Sequence, residues 1–263
     1  MRAAGQVVVV TGGAGGIGRA LAEHFHRDGA TAVVVADIDG VGAAAVAKEI
    51  GGLGLRCDVG NDSDVAAVIE ETERRFGPIG LFCSNAGIAA DFDIHGDNVA
   101  GASDVGWERS WAVNVMSHVY AARALVPRMK ARGGGYFLIT VSAAGLLSQI
   151  GSATYSTTKH AAVGFAESLA IAHRADNIRV SILCPQGVDT AMLRSLPKNP
   201  ASLDGVLTAE DVAAAASAGI ERESFLILPH PEVETYMRRK TENYDRWIGG
   251  MAKLLKKTRE ASG

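Results

Sequence analysis

The chain has 263 residues, of which 48% are hydrophobic, 21% are charged and 31 are glycines. That length suffices for one α/β domain with a large core, and a formal net charge of −3 gives no electrostatic footprint for a nucleic-acid partner. The three cysteines stand alone, without a CxxC pair or a histidine at ligand spacing, so neither a metal site nor a disulfide framework is expected. No apolar run approaches the roughly 20 residues of a membrane span, and the N-terminus lacks a signal-peptide pattern. We therefore expect a cytoplasmic protein with no membrane partner.

Short apolar runs alternate with helix-length segments along the chain. The runs predict seven strands, at 7–10, 32–36, 53–57, 79–84, 136–141, 179–183 and 225–228. Amphipathic patterns between them predict helices at 16–28, 41–50, 63–76, 107–132, 153–174 and 209–219. Continuous apolar strands alternating with helices indicate a parallel sheet covered on both faces, which is a doubly wound Rossmann fold. We expect this domain to span 1–230 and to carry a helical extension at 231–263.

Three segments depart from that alternation. Residues 88–103 are rich in Gly, Asp and Asn and are interpreted as a loop, and residues 191–207, with two prolines, as a mobile segment near the site. The extension has apolar residues at helical spacing on one side. They are Val233, Tyr236, Met237, Tyr244, Trp247, Met251 and Leu254. This stripe can pack on its own subunit, over 191–207, or on a neighbouring subunit. We favour the neighbour because the predicted sheet and the helices on its two faces already form a complete set of layers.

The turn at 11–18, TGGAGGIG, follows the first strand and opens a helix. Glycines let the backbone approach a pyrophosphate, and a helix N-terminus offers free N–H groups; the alternative is a tight turn without a ligand. Asp37 ends the second strand, where a carboxylate can accept hydrogen bonds from the adenosine ribose and would repel a 2′-phosphate. No Arg or Lys follows Asp37 directly, so NAD is favoured over NADP. The other interpretation of Asp37 is a helix-capping residue.

Tyr155 and Lys159 are four residues apart on one predicted helix and therefore share a face. A phenol has a pKa of about 10, and we expect the lysine cation to lower it toward neutrality. Ser142 ends the fifth strand and can donate a hydrogen bond beside the phenol. Asn114 is a polar residue in an apolar helix, so it needs a buried partner or a function. A tyrosine and lysine at this spacing are also common by chance on solvated surfaces.

Together these features resemble the short-chain dehydrogenase/reductase family, in its single-domain tyrosine–lysine branch. The resemblance covers residues 6–190 and rests on the glycine turn, Asp37, Cys57-Asp58-Val59, Asn85-Ala86-Gly87, Asn114, Ser142, Tyr155, Lys159 and Pro185…Val188…Thr190. It implies an NAD site formed by Gly12, Gly15, Gly16, Ile17, Gly18, Asp37, Ile38, Asp58, Val59, Asn85, Ala86, Gly87, Tyr155, Lys159, Pro185, Val188 and Thr190.

The same resemblance implies the catalytic roles. Tyr155 would be the general acid/base, Lys159 would bind the nicotinamide ribose, Ser142 would polarise the carbonyl and Asn114 would anchor a relay water. It also implies a homotetramer or homodimer, assembled through the long helices that begin near residues 107 and 153.

Gln186 departs from the family, which usually has Gly directly after the proline of this segment. The substrate pocket should form from the loops that follow strands four to six. Its expected wall is mainly apolar and consists of Leu146, Leu147, Gln149, Gln186, Met192, Leu193 and Leu196. This composition favours an alicyclic, aromatic or steroid-like alcohol over a sugar or an acid.

The function that these features favour is NAD-dependent hydride transfer between a small-molecule secondary alcohol or ketone and nicotinamide. Three alternatives remain. One is an NADP-dependent 3-oxoacyl or carbonyl reductase, which Asp37 disfavours. Another is a non-catalytic NAD-sensing or scaffold protein, in which we would expect one or more of the four catalytic residues to be replaced. The third, a sugar-nucleotide epimerase, shares the tyrosine–lysine pair but usually has a longer chain.

Overall fold

The computed structural model describes residues 1–196 and 202–262. Within them, seven strands form one parallel sheet in the order β3-β2-β1-β4-β5-β6-β7. The strands are β1 Val7–Thr11, β2 Ala32–Asp37, β3 Leu53–Arg56, β4 Ile79–Ser84, β5 Gly135–Thr140, β6 Ile178–Leu183 and β7 Leu226–Ile227. This order confirms the doubly wound fold.

Helices cover both faces of the sheet. They are α1 Gly16–Arg27, α2 Gly40–Glu49, α3 Asp62–Phe76, α4 Asp104–Trp111, α5 Ser117–Ala131, α6 Ala153–His173, α7 Ala191–Ser195, α8 Ala209–Glu221, α9 Glu232–Glu242 and α10 Tyr244–Ser262. Val7 and Val9 of β1 belong to the core cluster that contains residues of α3, α5 and α6, whereas Val8 and Val10 belong to the cluster with α1, α2 and α8. Both faces of the strand are buried, which explains its uninterrupted valine run.

The strand order reverses between β1 and β4, because the chain moves outward to β2 and β3 before it returns. At such a point the connections after adjacent strands leave in opposite directions and open a crevice at the carboxyl ends of the strands. The glycine turn after β1 and the loop after β4 border this crevice. No helix or strand lies between Ser84 and α4, so the prediction of a loop at 88–103 is confirmed.

The helix predicted at 107–132 is present as a continuous helical run from α4 through α5, but it is not α-helical throughout. A π-helical turn, Ala112–Met116, separates α4 from α5. Asn114 lies in this turn, and its side chain bonds to the main chain of Ile88. A side chain that is held from outside a helix is a recognised companion of such irregular turns, and they occur often at functional sites.

The C-terminal extension forms two helices instead of one. Asn243 has an extended backbone at φ −156°, and its Oδ1 accepts a hydrogen bond of 2.8 Å from the Arg246 amide, which caps the start of α10. A short polar side chain at this position therefore ends one helix and begins the next. Residues 197–201 of the segment predicted to be mobile lie outside the described residues, and α7 forms at its start.

The apolar stripe of the extension packs on its own subunit. Val233, Tyr236, Met237 and Trp247 form a cluster with residues that follow β5. Arg259 of α10 also donates hydrogen bonds to the carbonyls of Ile94, at 2.6 Å, and Gly96, at 3.0 Å. This part of the stripe therefore packs on its own subunit, while Tyr244 is 56% exposed and the contact with a neighbouring subunit stays a prediction. The loop after β5 leaves an apolar surface that the preceding layers do not cover, and the stripe covers it.

Candidate active site

A cavity of about 670 Å³ occupies the crevice at the carboxyl ends of the strands. Every residue that the sequence assigned to the cofactor lines it, and so do Ser142, Gln149, Gln186, Met192 and Leu193. Residues of α9 and α10 also line the cavity. One space therefore joins the phosphate-binding turn, the tyrosine–lysine pair and the apolar wall.

The glycine turn has the geometry of a phosphate cradle. Gly12 has φ +66°, and a Cβ there would lie 2.8 Å from the Cα of Ala86. A Cβ on Gly18 would lie 2.0 Å from the Gly12 carbonyl oxygen, whereas one on Gly15 would meet nothing within 4 Å. The first turn of α1 has no acidic residue and Gly15 supplies no side-chain cap, so its N–H groups are not occupied by side chains. An open backbone face with these donors fits a pyrophosphate.

Asp37 is fixed at the edge of the cavity by two main-chain hydrogen bonds. Its Oδ2 accepts from the Ala14 amide and its Oδ1 from the Asp39 amide, both at 3.0 Å. The N-cap of α2 is Asp39, whose side chain accepts a 3.0 Å hydrogen bond from Gly42. The capping interpretation of Asp37 was therefore wrong. Each Asp37 oxygen retains a lone pair, which fits a ribose diol.

The end of the cavity beyond Asp37 contains an ion pair that the sequence did not indicate. Arg109 of α4 lies 3.0 Å from Asp58 Oδ2, and the Gly60 amide donates to Asp58 Oδ1 at 3.0 Å. Burial alone would raise the pKa of Asp58, but these hydrogen bonds hold it below its ordinary value. Arg109 also lines the cavity. No local pattern reveals this contact, because its two residues are brought together only by the fold.

Thr11 joins the ends of β1 and β4. Its hydroxyl accepts hydrogen bonds from the amides of Asn85, at 2.9 Å, and Ala86, at 3.2 Å. The Asn85 side chain donates to the Thr11 carbonyl at 3.0 Å. Asn85 therefore lines the cavity while its amide nitrogen fixes the glycine turn.

Ser142, Tyr155 and Lys159 all line the cavity. Ser142 follows β5, and Tyr155 lies in the first turn of α6, where its amide donates to Ser152 Oγ at 3.3 Å. The Lys159 ammonium lies 5.6 Å from the centre of the Tyr155 ring and donates to the Thr140 carbonyl at 3.2 Å. This arrangement places a hydroxyl, a phenol and an ammonium at one point of the cavity wall.

The expected lowering of the Tyr155 pKa is contradicted. Burial raises the pKa of the phenol, and the hydrogen bond to the Ser142 hydroxyl offsets only part of that rise. Lys159 is itself buried, and burial lowers its pKa to about 8. Removal from water disfavours the charged form of each group, and the sequence spacing carried no information about the depth of burial.

Asn114 is fully buried and does not line the cavity. Its Oδ1 accepts from the Ile88 amide at 2.9 Å, and its Nδ2 donates to the Ile88 carbonyl at 2.9 Å and to the Thr158 hydroxyl at 3.1 Å. These bonds join the loop after β4 to α6. Asn114 thus has the buried partners that its position demanded, and it fixes the helix that carries Tyr155 and Lys159.

The apolar wall differs from the predicted one at one position. Leu147 and Leu196 line the cavity as expected, but Leu146 faces the C-terminal cluster with Tyr236, Met237 and Trp247. Leu147 belongs to the same cluster and also reaches the cavity, whereas Leu146 does not line it. The prediction missed further cavity residues, namely Phe92, Leu203, Asp204, Tyr236, Arg239, Trp247, Met251 and Leu254. The apolar stripe of the C-terminal extension was predicted from the sequence, but the residues that it packs against were not.

Comparisons with known proteins agree with this geometry. A family model described as short chain dehydrogenase matches residues 6–201. Momilactone A synthase of Oryza sativa subsp. japonica is 36% identical over 81% of this chain and 82% of that protein. The 3beta-hydroxysteroid dehydrogenase 2 of Eggerthella lenta is 33% identical over 71% of this chain and 72% of that protein. The chain therefore belongs to the short chain dehydrogenase family.

A solved structure gives the same result. The crystal structure of a short chain dehydrogenase/reductase from Burkholderia phymatum in complex with NAD has a TM-score of 0.83 and 28% identity, covering 93% of this chain and 96% of that chain. The protein is thus an oxidoreductase of alcohols that uses a nicotinamide cofactor. No helix of the described residues combines the length and the apolar content needed to cross a membrane.

Proposed function

We propose that this protein is an NAD-dependent dehydrogenase that interconverts an apolar cyclic secondary alcohol and its ketone. The observation that carries the proposal is the convergence of Ser142, Tyr155 and Lys159 in one cavity with the phosphate cradle and Asp37. A bound nicotinamide supplies the hydride acceptor in oxidation and the hydride donor in reduction. The residues of the chain supply orientation, exclusion of water and the path of the hydroxyl proton.

Tyr155 is the proposed general acid/base. In oxidation the phenolate oxygen takes the proton of the substrate hydroxyl, and in reduction the phenol returns it to the forming alkoxide. The Ser142 hydroxyl, which lines the same cavity as the phenol, orients the substrate oxygen. Lys159 is assigned to the nicotinamide ribose, and Asn114 acts by fixing α6. A relay water at Asn114 would use its remaining Oδ1 lone pair or its main-chain carbonyl.

NAD is proposed over NADP because of Asp37. Its carboxylate is held in place by two amides and has lone pairs available to a ribose diol. A 2′-phosphate at the same place would bring a second negative group against it. The neighbour crystallised with NAD supports the same choice.

The proposed substrate is apolar because the part of the cavity wall formed by α7 and α10 is apolar. Met192 and Leu193 of α7 line one side, and Trp247, Met251 and Leu254 of α10 line another. An aromatic and aliphatic surface of this extent gains free energy by burying a ring system. The relative named as a hydroxysteroid dehydrogenase supports a substrate of this kind.

We also propose that residues 231–263 belong to the same domain as the sheet, as a lid on the substrate end. The proposed assembly is a homotetramer or homodimer formed through the helices near residues 107 and 153, and the proposed compartment is the cytoplasm. Each of these points is separate from the chemistry of the cavity.

A screen of cyclic secondary alcohols with the purified protein tests the proposal. NADH formation is followed by absorbance with NAD and, in parallel, with NADP, and the Tyr155→Phe variant serves as the control for contaminating activity. The expected result is oxidation of apolar ring alcohols with NAD and none above background in the variant. Faster turnover with NADP would overturn the cofactor assignment, and turnover that survives in the variant would overturn the assignment of Tyr155.

A further inference from the structure

A polar cluster lines the same cavity as the apolar residues of α7 and α10. It consists of Gln186, which follows β6, Asp204, which precedes α8, and Tyr236 of α9, and all three line the cavity. Gln186 Nε2 donates to Asp204 Oδ2 at 3.1 Å, and the Tyr236 hydroxyl donates to Asp204 Oδ1 at 2.9 Å. We call these three residues the acceptor cluster, for the reason that follows.

The hydrogen-bonding capacity that remains in the cluster consists mainly of acceptors. A carboxylate only accepts, so the Gln186 amide must present its nitrogen to Asp204, and this fixes the orientation of the amide. Gln186 Oε1 is then buried with no hydrogen-bond partner. Tyr236 uses its proton on Asp204, and burial together with this hydrogen bond raises the pKa of the phenol. Each group in the cluster can therefore accept a further hydrogen bond, and the second N–H of Gln186 Nε2 is the one donor that remains.

The main chain of the cluster at Gln186 is held by a buried histidine. The main-chain N–H of Gln186 donates to His230 Nδ1 at 3.1 Å, and His230 is 3% exposed. Because a main-chain N–H can only donate, His230 Nδ1 is the acceptor of this bond, and burial of the ring lowers the pKa of His230. The main chain at Gln186 is therefore fixed, and a ligand group that meets the cluster gains a bond without first ordering it.

We infer that the substrate carries a second hydroxyl, remote from the carbon that is oxidised, and that this hydroxyl donates to the acceptor cluster. The inference rests on the proposed function, which supplies the first alcohol. A carboxylate is disfavoured because Asp204 would repel it. A cation is disfavoured because the guanidinium of Arg239 already lies 5.9 Å from the centre of the Tyr236 ring at the same wall. A neutral donor on an apolar ring system can hydrogen-bond to the cluster without placing a further charge beside Asp204.

Matched alcohols that differ by one non-oxidisable hydroxyl test the inference at two lengths. The short pair is para-tert-butylcyclohexanol and its analogue with one methyl of the tert-butyl group replaced by hydroxyl. The long pair is a saturated androstane alcohol with a ring-D methyl group and its analogue with a tertiary hydroxyl beside that methyl. A third member of each set has a carboxylate in place of the tertiary hydroxyl. The measured quantity is the ratio of kcat/KM between the hydroxylated and the parent alcohol with NAD.

We expect the wild-type protein to prefer the hydroxylated member of at least one pair by about tenfold or more, since a site that hydrogen-bonds a hydroxyl discriminates strongly against its absence. Gln186→Leu and Asp204→Asn should each lower this ratio at least tenfold. Met192→Leu, which changes the same cavity outside the cluster, is the matched control and should alter both members of a pair alike. Three results would each overturn the inference. They are equal kcat/KM of the wild type for the two members of a pair, a preference for the hydroxylated member that remains in both cluster variants, and a preference for the carboxylate.

Calorimetric binding of the same compounds to the protein with NADH gives a measurement that does not depend on turnover. A binding preference for the hydroxylated member without oxidation of any alcohol would refute the proposed function and leave the acceptor cluster supported. Oxidation of the parent alcohols with no hydroxyl preference in either measurement would do the reverse.

Discussion

Replacement of Asp37 by Ala should remove most of the preference for NAD over NADP. The wild-type protein should bind NAD at least tenfold more tightly than NADP, and the variant should bring the two dissociation constants close together. The physical reason is that Asp37 is held by the amides of Ala14 and Asp39, both at 3.0 Å, and cannot turn away from an added phosphate without losing both bonds.

The magnitude follows from charge and geometry. Two unit charges about 4 Å apart repel by about 1 kcal/mol in water and by about 4 kcal/mol at an effective dielectric constant of about 20. Asp37 is half-buried, so its surroundings lie between these limits. Loss of a ribose hydrogen bond adds about 0.5–1.5 kcal/mol. The sum is at least about 1.5 kcal/mol, which corresponds to about a tenfold difference in affinity or more.

Calorimetric titration of wild type and variant with both cofactors measures the effect directly. Asp39→Ala is the matched control, because it removes the same charge two residues away from a carboxylate that caps α2 and does not line the cavity. Its affinity ratio should equal that of the wild type. Equal affinities of the wild type for NAD and NADP, or an unchanged ratio in Asp37→Ala, would refute the reasoning.

Three further predictions concern the active site and its cover. NAD affinity should fall as the pH rises through about 8, because the Lys159 ammonium loses its proton there and with it its charge-assisted hydrogen bonds. Calorimetry should find no such pH dependence in the Lys159→Met variant. Asn114→Ala should lower the free energy of unfolding in urea by about 2 kcal/mol, because the amide and carbonyl of Ile88 lose their partner; a change below about 0.5 kcal/mol would contradict that role. Deletion of residues 232–263 should leave NAD affinity unchanged while it weakens the binding of apolar alcohols. A smaller oligomer by light scattering, with unchanged alcohol affinity, would instead favour the extension as an interface.

The sequence predicted the parts of the site that are encoded locally. The glycine turn, Asp37 and the Tyr155–Lys159 pair each depend on a strand end, a turn or a helical spacing, and these are decided within a few residues. All of them line the cavity in the structure. The Rossmann topology followed in the same way, because the connections between parallel strands are restricted in handedness.

The parts that the sequence did not predict depend on contacts between distant segments. The ion pair of Asp58 and Arg109 joins residues 51 positions apart, and the π-helical turn at Asn114 accompanies hydrogen bonds to Ile88, 26 positions away. The packing of the C-terminal stripe on its own subunit is of the same kind. The shift in the pKa of Tyr155 was predicted in the wrong direction, because helical spacing shows which charges are near the phenol but not how much water is excluded from it.

The most direct test of the central claim compares wild type and Tyr155→Phe in single-turnover oxidation of an apolar cyclic alcohol. The substitution removes one hydroxyl and leaves the ring in place. Calorimetry should therefore give the same dissociation constant for NAD, while the rate of NADH formation should fall by about 100-fold or more. In the wild type that rate should rise with pH, since burial raises the pKa of Tyr155 and oxidation needs the phenolate. A variant that binds NAD and keeps more than about a tenth of the wild-type rate would contradict Tyr155 as the acid/base, because such catalysis typically contributes about 10²–10⁴-fold.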